Sequence, residues 1–442
     1  MGAAQDRLDR VPRRVHSTSD GKAAVRGAGQ DREPALPQQQ LGGVGQLEAG
    51  AGLHLLAVDV RLVDAVEQQE ALRAVDAAPV ALQTAPMPSL RACSPGLATA
   101  VFLAAACTGP APAALPGSGS PLRASVQVVS GQVVGSIEVH DPRLLALLDP
   151  AAPIEVLATG FEWAEGPVWD RAQDALLFTD VPANTVYRHR DGEGVRVHLQ
   201  PSGYTGAEPR GGGLGANGLA FEAGGRLLLC EHGNRRIGCF ETDGTRAVLA
   251  ERFEGRRFHS PNDLVVHSSG DVYFTDPPYG LVGGERDPSR ELGFHGVFRL
   301  RTDGSVHLVS DRMSRPNGIA LAPDERTLYV ANSDRNEPVL LAFPLQPDGT
   351  AGESRVFFDA RPLLQKGHRG SLDGLKVDVH GNVWATGPGG VLVLSPEGVH
   401  LGTLRTGVAT ANCEWGDDGS VLYLTADMHL LRVRTRTRGA GW

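Results

Sequence analysis

At 442 residues the chain is long enough for two or three average domains or for one large repeat domain. Its 56 Gly and 30 Pro imply many turns and a β-rich fold, while an aromatic content of 5% leaves the core to Leu, Val and Ala. A formal net charge of −9, with no basic stripe in the repeat region, argues against a nucleic-acid footprint. Five cysteines (Cys93, Cys107, Cys230, Cys239 and Cys413) form no CxxC pair and no zinc spacing, and read as buried small apolar side chains.

Residues 1–86 hold neither a helical nor a strand period for long, and read as an upstream extension without a fold of its own. Residues 87–107 differ. A short cationic start from Met87 to Arg91 precedes an apolar run from Leu97 to Ala106, and small residues lead into Cys107. The run is too short to span a bilayer and has the layout of a bacterial lipoprotein signal, with Cys107 as the lipid-anchored residue. Residues 108–124, rich in Gly, Pro, Ser and Ala, read as a flexible tether. Met87 is then the start of translation, and the protein is exported, periplasmic or membrane-anchored. If the internal signal is not used, it is cytoplasmic. Export predicts a native protein that begins at Cys107 by mass spectrometry, and an intact residue 1 would exclude it.

From about residue 153 the chain becomes orderly. Short β-type runs appear at 176–178, 227–229, 272–274, 328–330, 383–385 and 422–424, most of them introduced by turns rich in Gly, Asp or Asn. The Asp-Gly pairs Asp243-Gly244, Asp303-Gly304 and Asp348-Gly349 read as hairpin turns rather than calcium loops. Units of about 40 to 55 residues fall within what propeller blades occupy. The expected fold is all-β: a six-bladed β-propeller over 125–437 with a central metal site, preceded by a non-propeller N-terminal extension. Seven blades stay compatible with the boundaries. The segment around 125–160 is expected to add an outer strand to the last blade and close the ring.

Glu165, Asn262, Asn317 and Asp373 recur at one place in the repeat, each just before or within a short apolar run. Turn capping is the commonest work of Asn and Asp, but four such residues in register point to a shared purpose. In a radial fold, equivalent positions meet on the axis. Two carboxylates and two amides meeting there form the all-oxygen donor set that a hard cation takes. Asn217, in Ala216-Asn-Gly-Leu219, holds the equivalent place in its blade and serves either substrate or a turn. Tyr279 lines the pocket mouth or packs on Pro277 and Pro278. His232 orients substrate or is a hydrogen-bonded structural histidine.

The runs Glu165-Gly-Pro-Val-Trp169, Cys230-Glu-His-Gly-Asn-Arg-Arg236, Ser260-Pro-Asn-Asp263, Phe274-Thr-Asp-Pro-Pro-Tyr-Gly280, Arg315-Pro-Asn-Gly318 and Leu372-Asp-Gly-Leu-Lys376 occur in the order of the gluconolactonase/regucalcin (senescence marker protein) family, which the chain resembles over about 150–437. The resemblance implies a six-bladed propeller with one axial divalent cation, calcium first with zinc, magnesium or manganese also accepted, and hydrolysis of a sugar lactone. It implies metal ligation by Glu165, Asn317 and Asp373, with Asn262 on the metal or its water, and Asp373 activating water. Where animal members carry a sugar-contacting Arg two residues before the axial Asn, this chain has Ser260. Arg210 or Arg315 would have to substitute from a loop. Two other functions fit the same residues: a phosphotriesterase-like hydrolase of this fold, and a non-catalytic ligand-binding propeller. A binding propeller has no need of an open metal position, which all four axial residues preserve.

Overall fold

The computed structural model describes residues 126–129 and 131–442; the residues read above as an extension, a signal segment with Cys107 and a tether lie outside them. Six antiparallel sheets surround one axis. Blades one to four are each built from four consecutive strands: Ala164–Asp170 to Gly194–Leu199, Ala216–Phe221 to Arg246–Ala250, Leu264–Val266 to Val306–Ser310, and Pro316–Leu321 to Arg355–Asp359. Blade five, from Leu375–Val377 to His400–Arg405, gains a fifth strand from Ser136–Val139. Blade six joins the two ends of the described chain: Asn412–Gly416, Val421–Ala426 and His429–Arg434 pair onward to Ile154–Thr159, which carries Gln127–Val128 and Val133–Val134. The ring closes as expected, and the N-terminal segment also stitches blade five to blade six.

The apolar runs become strands buried on both faces because each blade is pressed between two neighbours. Alternate residues of one strand serve alternate interfaces. Leu227 and Leu229 pack with Val168 and Leu177 of blade one, whereas Leu228 and Cys230 pack with Phe274 and Phe298 of blade three. Likewise Val383 and Ala385 face blade four while Trp384 meets Trp415 of blade six, ring centroids 5.3 Å apart. Each interface thus has its own small cluster, which is how so few aromatic side chains suffice. The three described cysteines are free and buried, and the glycines of the three Asp-Gly turns have φ of +87°, +84° and +76°, the left-handed conformation that such hairpins require. A five-residue turn at Pro142–Ala146 sets Leu144 and Leu148, both fully buried, against Trp384 and Trp415.

Candidate active site

The innermost strand of each blade touches the innermost strands of the two blades beside it, all the way round. Glu165, Asn217, Asn317 and Asn412 lie in these strands, and Asn262 and Asp373 stand two residues ahead of theirs. Six polar side chains therefore converge from six blades. The convergence is direct: the Asn412 amide nitrogen of blade six lies 3.5 Å from the Asp263 carboxylate of blade three, its opposite across the axis.

Close approach is built into the residue that follows each axial position. It is Gly166, Gly218, Gly318 and Gly374 in four blades. A Cβ on Gly318 would overlap the Asp373 carbonyl oxygen, and one on Gly374 would overlap the Asn412 side chain. Threonines of the second strands then clamp the next blade: the hydroxyl of Thr179 donates to the Asn217 carbonyl at 3.2 Å, Thr275 to Asn317 at 2.7 Å and Thr386 to Ala411 at 2.9 Å. At the ends of those strands, acidic or amide side chains fix the loops that lead to the axis. Asp276 accepts from the backbone N–H of His259 and of Ser260, both at 2.8 Å, and Asn332 accepts from Arg315 N–H at 2.9 Å.

The axial amides are oriented. The Asn317 nitrogen donates to the Ser333 hydroxyl at 3.3 Å, and that hydroxyl also bonds the Tyr279 hydroxyl at 2.6 Å. The Asn262 nitrogen lies 3.5 Å from His232 Nε2. Both amides are thereby held in place beside the axis, the Asn317 amide also acting on the Asp373 carboxylate. Two further oxygens, Asn217 Oδ1 and Asp373 Oδ1, are buried and have no hydrogen-bond partner, an arrangement that is costly unless something else is bound there. Among the described residues no group of three His, Cys, Asp or Glu has metal-holding geometry; half of the expected donor set here is amide oxygen. Hard oxygen donors, two of them orphaned, fit a divalent cation.

Electrostatics point the same way. Burial, then the negative charges of Glu165 and Asp263, push Asp373 well above the usual carboxylate range, against the Asn317 amide. Burial and Asp263 raise Glu165 to about 7, against hydrogen bonds from Gly166 N–H, Asn412 and Trp163. Carboxylates so placed need protons or a cation. Burial also lifts Asp276 to about 7. Because these pKa values are raised from 4.5 and 3.8, the folded protein holds protons the unfolded chain has released, and their stabilisation is lost as pH rises through 7. Buried His232 and His259 and half-buried His400, lowered from 6.5 to about 3, 4 and 4, act oppositely, their contribution being lost as pH falls through 6.5 toward those values. Calorimetry in chelator should show the melting temperature falling between about pH 6.5 and 8. Saturating divalent cation should remove the Glu165 share of that fall.

His232 is buried against Asn262, and burial together with the Arg210 charge keeps it neutral. Tyr279 joins the site through Ser333 rather than resting only on its prolines. Ser260 is not free for substrate: its hydroxyl donates to Pro277 O at 2.6 Å and accepts from Gly280 N–H at 2.9 Å. Nor is Arg210, whose guanidinium donates to Gly233 O at 2.7 Å and Gly280 O at 2.5 Å, tying loop 203–215 across two neighbouring loops. Arg315 stands 3.6 Å from Glu285. Sequence reasoning missed Asp263, Ser333, Lys376 and Asn412. The signal for Asp263 was present: it is the one aspartate at a position that four other blades give to glycine.

The SMP-30/gluconolactonase/LRE-like region matches residues 163–427. A gluconolactonase of Zymomonas mobilis is 39% identical over 321 residues, covering 70% of this chain and 89% of that one. The solved structure of a gluconolactonase from Xanthomonas campestris superposes with a TM-score of 0.59 at 32% identity, covering 70% of this chain and 98% of that one. A calcium-binding regucalcin of Agrobacterium tumefaciens shares the fold, with a TM-score of 0.50 at 20% identity over 64% of this chain and 92% of that one. With the family region matched over more than half of its length and the propeller shared with its solved relatives, the chain belongs to the SMP-30/gluconolactonase/LRE-like family.

Proposed function

We propose that the protein is a divalent-cation-dependent hydrolase that opens a sugar lactone, with Glu165, Asn262, Asn317 and Asp373 holding the cation. The observation that carries this reading is the buried Asp373 Oδ1, left without a hydrogen-bond partner where polar side chains of six blades converge. The gluconolactonase relatives supply the substrate class. Bound at the axis, the cation would polarise the lactone carbonyl and favour the charge that develops on its oxygen.

The chain's own residues supply the rest. Asp373, held well above the usual carboxylate range by burial and then by Glu165 and Asp263, is the axial acid placed to exchange a proton. It takes a proton from the attacking water as the water oxygen joins the carbonyl carbon. The ring C–O bond then breaks, and the proton passes to the departing ring oxygen, giving the hydroxy acid. Asn217 Oδ1 offers an acceptor to a sugar hydroxyl, and Tyr279 and His232 line the approach. Ser333 holds Asn317 and Tyr279 in register.

The test is hydrolysis of a panel of aldonolactones and one phosphotriester by the full chain. It is stripped with chelator and then given calcium, magnesium, manganese or zinc. Lactone turnover restored by a cation supports the reading. Turnover of the phosphotriester alone moves the assignment to the second hydrolase class, and turnover of neither with any cation overturns it.

A further inference from the structure

Below the axial oxygens the channel holds a second layer of charge that lactone opening, as derived above, does not use. Lys376 stands three residues beyond Asp373 on the inner strand of blade five, and Glu414 two beyond Asn412 on that of blade six. The two side chains, only 21% and 15% exposed, approach to 3.7 Å. Asp263 of blade three belongs to the same layer through the Asn412 amide, 3.5 Å from its carboxylate. Three residues beyond the axial position the first four blades carry Val168, Ala220, Val265 and Ala320, so a charge there is a departure from the repeat.

An ion pair in a half-buried channel lined by further carboxylates differs from one on the surface. Burial works against the Lys376 charge, yet Glu414, then Asp263, hold its pKa above that of an ordinary lysine. Burial raises Asp263, and the Lys376 charge heads the influences that oppose it. The ammonium therefore acts on the same carboxylates that repel one another at the axis.

We propose that Lys376, anchored by Glu414, is a fixed counter-charge beneath the ring that weakens the axial carboxylates' hold on the divalent cation and stabilises the ring without it. Lys376 touches no substrate. It is a positioning residue that acts through Asp263 and Glu165. The inference rests on the axial cation of the proposed function, and its test separates the two. Replacing the ammonium by a neutral side chain leaves the channel one unit more negative, so a cation binds more tightly while the metal-free ring repels itself more. Replacing Glu414 by Gln has the opposite sign.

The experiment is calorimetric titration of the full chain with calcium, together with melting in chelator, for wild type, Lys376→Met, Lys376→Arg and Glu414→Gln. Calcium affinity should rise about tenfold in Lys376→Met, fall by a similar factor in Glu414→Gln, and stay at the wild-type value in Lys376→Arg. In chelator Lys376→Met should melt below wild type and Lys376→Arg with it. If Lys376→Met does not fold in chelator, the opposite shift in Glu414→Gln decides. Affinities that stay within about twofold of wild type in both charge-removing variants, or that move the other way, overturn the proposal. Wild type that binds no calcium sinks the cation reading instead. In that case equal melting of wild type and Lys376→Met in chelator overturns the counter-charge as well.

Discussion

Asp373→Asn is expected to lower lactone turnover by about a thousandfold or more, the scale of losing a positioned general base. The protein should remain folded. The substitution keeps an oxygen at the axis and the length of the side chain, so a cation can still be held, though more weakly, while the atom that accepts the water proton is gone. The stability result should run the other way. Asp373 is raised far above its ordinary pKa by burial and by Glu165 and Asp263, so its charge is a burden on the metal-free fold. A neutral amide there should raise the melting temperature in chelator while activity collapses. Loss of function with gain of stability is the mark of a strained functional group. A capping or packing aspartate would give the reverse, lower stability with activity falling only in proportion. Turnover within about tenfold of wild type would remove Asp373 from the chemistry.

Much of this site was legible in the sequence because the repeat places like against like. Glu165, Asn217, Asn262, Asn317 and Asp373 each stand at or just before the start of the inner strand of a blade, and Gly follows four of them. The strands were legible for a related reason: buried on both faces, they read as unbroken apolar runs. What could not be read depends on contacts distant in sequence or on local irregularity. Ser333 reaches Tyr279 across 54 residues, a pairing that no motif announces. Asn412 is the sixth member of the ring, but Cys413 follows it where most blades have Gly, so its place in the pattern was hidden. Lys376 and Glu414 meet although they stand three and two residues beyond their axial residues, a pairing between blades that the repeat does not announce. Arg210 was weighed as a substitute sugar contact because it is a loop cation near the site. The fold gives its guanidinium two carbonyl oxygens, and the loop it ties lies with Gly213 against His232 and Tyr279.

Val156→Pro should reduce stability by about 3–5 kcal/mol, roughly 10 °C in melting temperature for a domain of this size. Val156 lies in Ile154–Thr159, the strand through which the N-terminal segment enters blade six. Its N–H donates to Gln132 O at 2.9 Å, its backbone is paired with Leu431, and its side chain is 2% exposed. Proline deletes that donor and places a ring in a strand paired on both sides, a position that sheets do not offer it. Val156→Ala, which removes only the two methyl groups, should cost about 1–2 kcal/mol, and the difference between the variants isolates the ladder. The consequence reaches past stability. Blade six supplies Asn412 and Glu414, and the closed contact of inner strands is what holds six axial side chains at one point. A ring loosened at its seam should therefore lose cation affinity and turnover at temperatures well below its melting point. If Val156→Pro instead keeps full cation affinity up to the temperature at which it unfolds, the seam does not govern the axis, and blades one to five position the donors by themselves.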